Sequence, residues 1–314
     1  MSRRSFFIVG QDIEPKVQLG LCCINSGLRK SNIFCSRTLI SRCYTVDKAN
    51  ELAKQNLTDL ATLLRWNAEH DIHVFRLSSD MFPRITDNSV QRIKVSDYKS
   101  LLEECGEIAR STNQRITMHP GQYNQIGAKD IKVFSKTLQD LLVHAEILDT
   151  MGMTTESILT IHGGGVYGDK ETTIRRWIEQ FDDLPPAVKR RIAIENCERQ
   201  YNISDCLEIA DECKIPVIFD SHHFDCYNKI NDTDFVAAHY IPHVLETWWD
   251  RTMLAHISEQ KEGARVGAHS DYIENIPDYF LSIPSRYDRS IDIEVEAKAK
   301  ELAVKKLQEK YNIH

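Results

Sequence analysis

Short apolar, β-branched runs alternate with longer stretches of helical period along the whole chain. The runs predict strands at Val17–Cys23, Ile72–Leu77, Arg115–His119, Ser157–His162, Arg191–Glu195, Pro216–Asp220, Met253–Ile257 and Ile291–Glu296. Between them, helices are expected over Val46–Glu69, Ser96–Asn113, Ile131–Met151, Lys170–Phe181, Ser204–Cys213, Asp232–Trp249, Ser270–Ile283 and Ala297–Tyr311. In the first, Leu52, Leu57, Leu60, Leu63 and Leu64 recur at helical spacing. Asp47 is its expected N-cap, and Ser204 that of the fifth helix. Pro185-Pro186 marks a break before the fifth strand. Strict β–α alternation over eight units implies parallel strands closed into a single α/β TIM barrel, expected over residues 17–314 after a short N-terminal arm, 1–16. An open doubly wound sheet is the alternative, but no GxGxxG follows the first strand.

Strand ends carry the chemistry. His119 ends strand three, His162 strand four, Glu195 strand five and Asp220 strand six, with His222 and His223 just after it. His256 lies in strand seven, His269 in the loop beyond, and Glu296 ends strand eight. In a TIM barrel all these ends meet at one face. A single histidine there is ordinarily a hydrogen-bonded core residue, but seven or eight such residues on consecutive strands need a common explanation. Imidazole with carboxylate and without thiolate suits Zn²⁺, Mn²⁺ or Fe²⁺. About eight ligands exceed one tetrahedral ion. A cluster of two or three divalent ions sharing a bridging carboxylate, the two-metal design for phosphodiester hydrolysis, is expected.

Composition changes the picture little. Of 314 residues, 42% are hydrophobic and 27% charged, ordinary for a soluble domain. The formal net charge of −7 speaks against a DNA-binding protein unless a local basic face exists or bound ions offset the carboxylates. Nine cysteines, an odd number without a CxxC pair, argue against disulfides and zinc ribbons and for a reducing intracellular compartment, cytoplasm or nucleus. The apolar run Phe6–Val9 is too short for a secretion signal, and no run is long enough to span a membrane. Gly121 and Gly163–Gly165 fit either close ligand approach or plain turns. Gln122 and Tyr123 fall on an exposed loop, where an aromatic and an amide can stack on or replace a base. Arg29, Lys30, Arg37 and Arg42 are candidates for phosphate contact. His70, His73, His144, His239, His243 and His314 are expected at the surface, and Trp248-Trp249 in packing.

The segments SRT (Ser36–Thr38), LRWNAEH (Leu64–His70), FRLSSDMFP (Phe75–Pro83), MHPGQY (Met118–Tyr123), HGGGVYGDK (His162–Lys170), IENCE (Ile194–Glu198), DxxH (Asp220, His223), GAH (Gly267–His269) and VEAK (Val295–Lys298) together resemble the ultraviolet damage endonucleases. The resemblance implies a Mn²⁺-supported barrel, with Zn²⁺ or Mg²⁺ as other options, that nicks damaged double-stranded DNA immediately 5′ to cyclobutane dimers and 6-4 photoproducts. It implies His119, His162, Glu195, Asp220, His223, His256, His269 and Glu296 as ligands, with Glu195, His256 and Glu296 central to catalysis. It makes Gln122 and Tyr123 the pair that probes the lesion, with Leu21 and Asn25 at further probing positions. A monomer is expected. Three positions depart from the family pattern. Leu21 stands in place of a tyrosine, Asp87 in place of a histidine ligand, and Leu254 in place of a lysine. A sugar isomerase-like barrel and a catalytically inactive damaged-DNA binder remain the competing readings.

Overall fold

The computed structural model describes residues 14–314; most of the expected N-terminal arm lies outside them. The eight expected strands all form, as β1 (Val17–Cys22), β2 (Val74–Leu77), β3 (Arg115–Met118), β4 (Leu159–His162), β5 (Ile192–Glu195), β6 (Val217–Asp220), β7 (Met253–Ile257) and β8 (Ile291–Val295). Every neighbouring pair is parallel, and β8 pairs with β1 to close the barrel in chain order. Around it run α1 (Ser26–Lys30), α2 (Val46–Ala68), α3 (Lys99–Ser111), α4 (Ile131–Thr150), α5 (Lys170–Asp182), α6 (Pro186–Lys189), α7 (Ile203–Cys213), α8 (Ser221–Asn231), α9 (Ala237–Glu246), α10 (Asp278–Leu281), α11 (Ile283–Tyr287) and α12 (Glu301–Tyr311).

The helix expectations need five corrections. No helix spans Ser270–Ile283. The Ser270 and Asp271 carbonyls accept from Lys298 and Ala299 N–H, which ties the loop to the strand-eight exit, and Pro277, which has no N–H to extend a helix backwards, only opens the short α10. Asp232–Trp249 shortens to α9, and a helix unforeseen in the sequence, α8, opens directly at the end of β6. Its N-cap is Asp220, whose carboxylate accepts from His223 N–H at 2.7 Å. Thr45, not Asp47, caps α2, and Asn202, not Ser204, caps α7 in a box with Asp205.

Inside the barrel the usual branched apolar layers give way to charge. On β8, Ile291, Ile293 and Val295 alternate with Asp292, Glu294 and, just past the strand, Glu296. Arg115 of β3 reaches across the interior to Asp292 (2.9 Å) and to the Thr252 carbonyl (3.0 Å), plugging the end remote from the strand C-termini. One layer higher, Glu294 meets Thr117, Arg76 and His256. Gly20 leaves it room, since a Cβ there would stand 3.3 Å from Glu294 Cγ. Buried ions of this kind are tolerated only when paired, and each here has a partner.

The nine cysteines carry no disulfide. No helix among the described residues is long and apolar enough to cross a membrane. Trp248 is buried, with its indole N–H on the Val217 carbonyl (2.9 Å), whereas Trp249 is half exposed. His144 is likewise not at the surface as expected but buried in α4, bonded to the Asp140 carbonyl at 2.8 Å.

A tight seam joins α3 to the end of α4. A Cβ on Gly106 would lie 1.8 Å from the Met151 carbonyl oxygen. Because the obstacle is backbone, Gly106→Ala is expected to destabilise by about 1–3 kcal/mol, the range of core overpacking. Thermal denaturation checks this, and an unchanged midpoint contradicts it.

Candidate metal centre

Four consecutive strands, β4 to β7, each deliver a donor to the mouth of the barrel, and the loops after β3, β7 and β8 add His119, His269 and Glu296. Glu195 sits at the centre, fully buried. Its two oxygens face different imidazoles. Oε2 lies 2.9 Å from His119 Nε2 and 3.5 Å from His162 Nε2. Oε1 lies 2.8 Å from His256 Nδ1 and 3.5 Å from His223 Nδ1. Asp220 Oδ2 is 3.6 Å from His223 Nδ1, and Glu296 stands 3.5 Å from His256 and 3.6 Å from His269. Two groups of donor atoms, each within 4.8 Å of one another, therefore share Glu195: His119–His162–Glu195 and Glu195–Asp220–His256.

Outer contacts hold these donors in place. Asn196 clasps the Asp220 backbone, accepting from its N–H and donating to its carbonyl, both at 2.9 Å, which locks the ends of β5 and β6 together. His119 Nδ1 is fixed on the Pro120 carbonyl (3.1 Å), leaving Nε2 toward Glu195. His256 uses its two nitrogens on two carboxylates, Nδ1 on Glu195 and Nε2 3.0 Å from Glu294. Arg76 bonds Glu296 and lies 3.4 Å from Glu294.

Electrostatics test whether cations belong here. Burial lifts the Asp220 carboxyl to about 6 and drives the His162 imidazole down to about 4. Glu195 is buried too, yet the surrounding imidazoles, His256 foremost, hold it well below the ordinary carboxylate range. Burial likewise opposes charging of His256 and His223, but the carboxylates Glu195 and Asp220 respectively raise both well above an ordinary histidine. Protons on imidazoles thus stand where cations would stand, and metal binding would release them. Asp220 Oδ2 and His162 Nδ1 are buried without a hydrogen-bond partner. Donor chemistry, spacing and unpartnered atoms all fit divalent ions.

The pit opens into a cavity of about 600 Å³ bordered by Gln122, Glu198, Arg265 and His269. Gly121 allows the Tyr123 ring to fold back, since a Cβ would meet that ring at 2.5 Å, and Tyr123 is 67% exposed. Gly163 answers a packing demand of the same kind: a Cβ would strike the buried Tyr201 ring at 2.4 Å. Gln122 and Tyr123 are both exposed, Gln122 bordering this cavity and Tyr123 a neighbouring one.

Other expected site residues are elsewhere. Asp87 does not join the cluster. Its carboxylate is taken by Arg84 (Nε at 2.8 Å) and by Ser89 N–H (2.8 Å), and it borders a neighbouring cavity with Tyr123. Hydrogen bonds from Ser89, then Arg84, hold its carboxyl down to about 2. Leu21 cannot probe anything, because it is fully buried in the hydrophobic core. Asn25 is buried as well, its side chain accepting from Leu28 N–H (2.9 Å) as the N-cap of α1. Arg37 is not free for phosphate, being paired with Asp59 at 2.7 Å. His222 packs on Cys226 Sγ at 3.6 Å rather than entering the pit. Leu254 is buried in β7, two residues before His256. Conversely, Arg76 and Glu294 were not foreseen. Their signal was a lone arginine in the apolar strand VFRL and the alternation IDIEVE.

With this geometry in view, similarity to known proteins becomes decisive. A profile of the UV-endonuclease UvdE family matches residues 17–313. The chain belongs to this family. It is 36% identical over 308 residues to a putative UV-damage endonuclease of Acanthamoeba polyphaga mimivirus, covering 94% of this chain and 91% of that one. It is 32% identical to the UV-damage endonuclease of Schizosaccharomyces pombe, but spans only 53% of that longer protein. The crystal structure of SacUVDE superposes with a TM-score of 0.83 at 28% identity, covering 95% of this chain and all of that one. Membership in the UvdE family makes UV-damage repair by endonuclease action this chain's class of activity.

Proposed function

We propose that the protein hydrolyses the phosphodiester bond immediately 5′ to cyclobutane dimers and 6-4 photoproducts in double-stranded DNA, as a monomer, with two or three divalent ions, Mn²⁺ foremost. The observation that carries this reading is Glu195, whose two oxygens face two separate imidazole pairs. His119 and His162 would hold one ion on the Oε2 side. Asp220, His223 and His256 would hold another on the Oε1 side, and His269 with Glu296 offer a third position. Bound divalent ions supply Lewis acidity and charge neutralisation for phosphodiester hydrolysis. The chain's own part is to fix these donors through Asn196, Glu294 and Arg76, and to present Gln122 and Tyr123 to the duplex. Leu21, Asp87 and Leu254 remove none of the eight converging donors, which favours an active enzyme over an inactive binder. The predominance of imidazoles favours hydrolysis over the carboxylate-rich chemistry of sugar isomerases.

A 5′-end-labelled duplex with one defined dimer tests the cleavage position. The expected product ends at the phosphodiester 5′ to the dimer; a product ending elsewhere overturns that assignment. Tyr123→Ala is expected to reduce discrimination between irradiated and unirradiated duplex roughly tenfold, given that stacking on a base contributes about 1–3 kcal/mol. The ratio of kcat/KM on the two duplexes measures it, and an unchanged ratio makes Tyr123 a bystander.

A further inference from the structure

Beside the metal pit lies a second groove of about 430 Å³. It shares Arg76, Arg265, His269 and Glu296 with the pit, and Lys298 and Lys300 line it in addition. Among the described residues, Arg265, Lys298 and Lys300 have no carboxylate within ion-pair distance, whereas Arg76, Arg84, Arg37 and Lys170 are all paired. In a chain of net charge −7, unneutralised cations at the margin of the reactive site are a local basic face of the kind a polyanion needs.

The backbone reinforces the point. Lys300 has φ 54° and ψ −122°, and Leu302 N–H bonds the Ala299 carbonyl at 3.1 Å. This is a type II′ turn with lysine at the position glycine ordinarily holds. The next residue, Glu301, anchors the turn by accepting from Ser26 N–H (2.6 Å) and Gly27 N–H (2.8 Å) of α1. Glycine would relieve the conformation; a lysine side chain in its place is held at the groove.

We propose that this groove seats the phosphates of the cleaved strand next to the scissile bond, with Lys300, Lys298 and Arg265 as the contacting cations. The proposal rests on the endonuclease reading and extends it to substrate positioning. These residues touch flanking phosphates and act on binding rather than on the bond-breaking step.

The test uses Lys300→Gly, which suits the turn and removes only the side chain, with Lys300→Arg as the charge-retaining control and Lys298→Ala/Arg265→Ala as a second variant. Single-turnover nicking of irradiated duplex with Mn²⁺ is followed against protein concentration between about 50 and 200 mM salt, with anisotropy of the same labelled duplex alongside. Lys300→Gly is expected to raise the half-saturating concentration about tenfold and to leave the limiting rate within about twofold. It should also lower the slope of log affinity against log salt by about one, the signature of one lost phosphate contact. Lys300→Arg restores the slope, and the double variant lowers it by about two. Unchanged slope and half-saturation in both variants overturn the proposal. Absence of nicking by the wild type would instead count against the endonuclease reading, while the anisotropy slopes still decide the groove.

Discussion

Glu195→Gln is expected to abolish nicking, by about 10²–10⁴-fold, while binding of irradiated duplex stays within a few-fold of wild type. Glutamine keeps the shape but has one oxygen, so the amide NH₂ would face one of the two imidazole pairs. It also removes the negative charge that His256 and His162 surround. Losing a shared ligand forfeits several kcal/mol of metal-supplied stabilisation, and each 1.36 kcal/mol is tenfold in rate. Glu195 lies at the floor of the pit and is fully buried, away from the exposed Gln122 and Tyr123 proposed to meet the duplex. Single-turnover nicking and anisotropy on one preparation separate the two effects. A variant that cleaves at near wild-type rate would show that Glu195 is not the shared ligand.

Glu294→Gln acts one contact further out. Glu294 faces His256 Nε2 at 3.0 Å and Arg76 at 3.4 Å, so it both orients the imidazole and balances the guanidinium. Outer carboxylates behind metal-ligating histidines are typically worth about 10–100-fold in metal affinity. The variant should therefore need about 10–100-fold more Mn²⁺ for half-maximal nicking and recover most of its rate at saturating metal. A metal titration superimposable on wild type would reduce Glu294 to filling the barrel. A collapse in rate that metal does not restore would place it in the ligand set itself.

The barrel was legible because each strand is a short apolar run bounded by turns and each helix has its own period; all eight strands formed within two residues of expectation. The converging donors were legible from topology alone, since parallel closure brings every strand end to one face. What failed depended on tertiary context. Asp87 offers a carboxylate at a plausible point in the chain, but Arg84 three residues earlier captures it. Leu21 and Asn25 follow the family register, yet Leu21 lies in the core and Asn25 is spent on a helix cap. The segment at 270–283 has helical spacing of its apolar residues, but its first carbonyls serve the strand-eight exit and helix starts only after Pro277, as α10. Arg76 and Glu294 were passed over because a charge within an apolar strand gives no hint of its partner until the barrel closes around both.

The central claim is a metal-dependent nick confined to damaged DNA. The most direct measurement is nicking of irradiated and unirradiated duplex by the purified protein, with Mn²⁺ and with excess chelator. The eight converging donors predict nicks in the irradiated duplex with Mn²⁺ only, lost on chelation and restored when the metal is returned. Cleavage that survives chelation, or that is equal on the two duplexes, would contradict it.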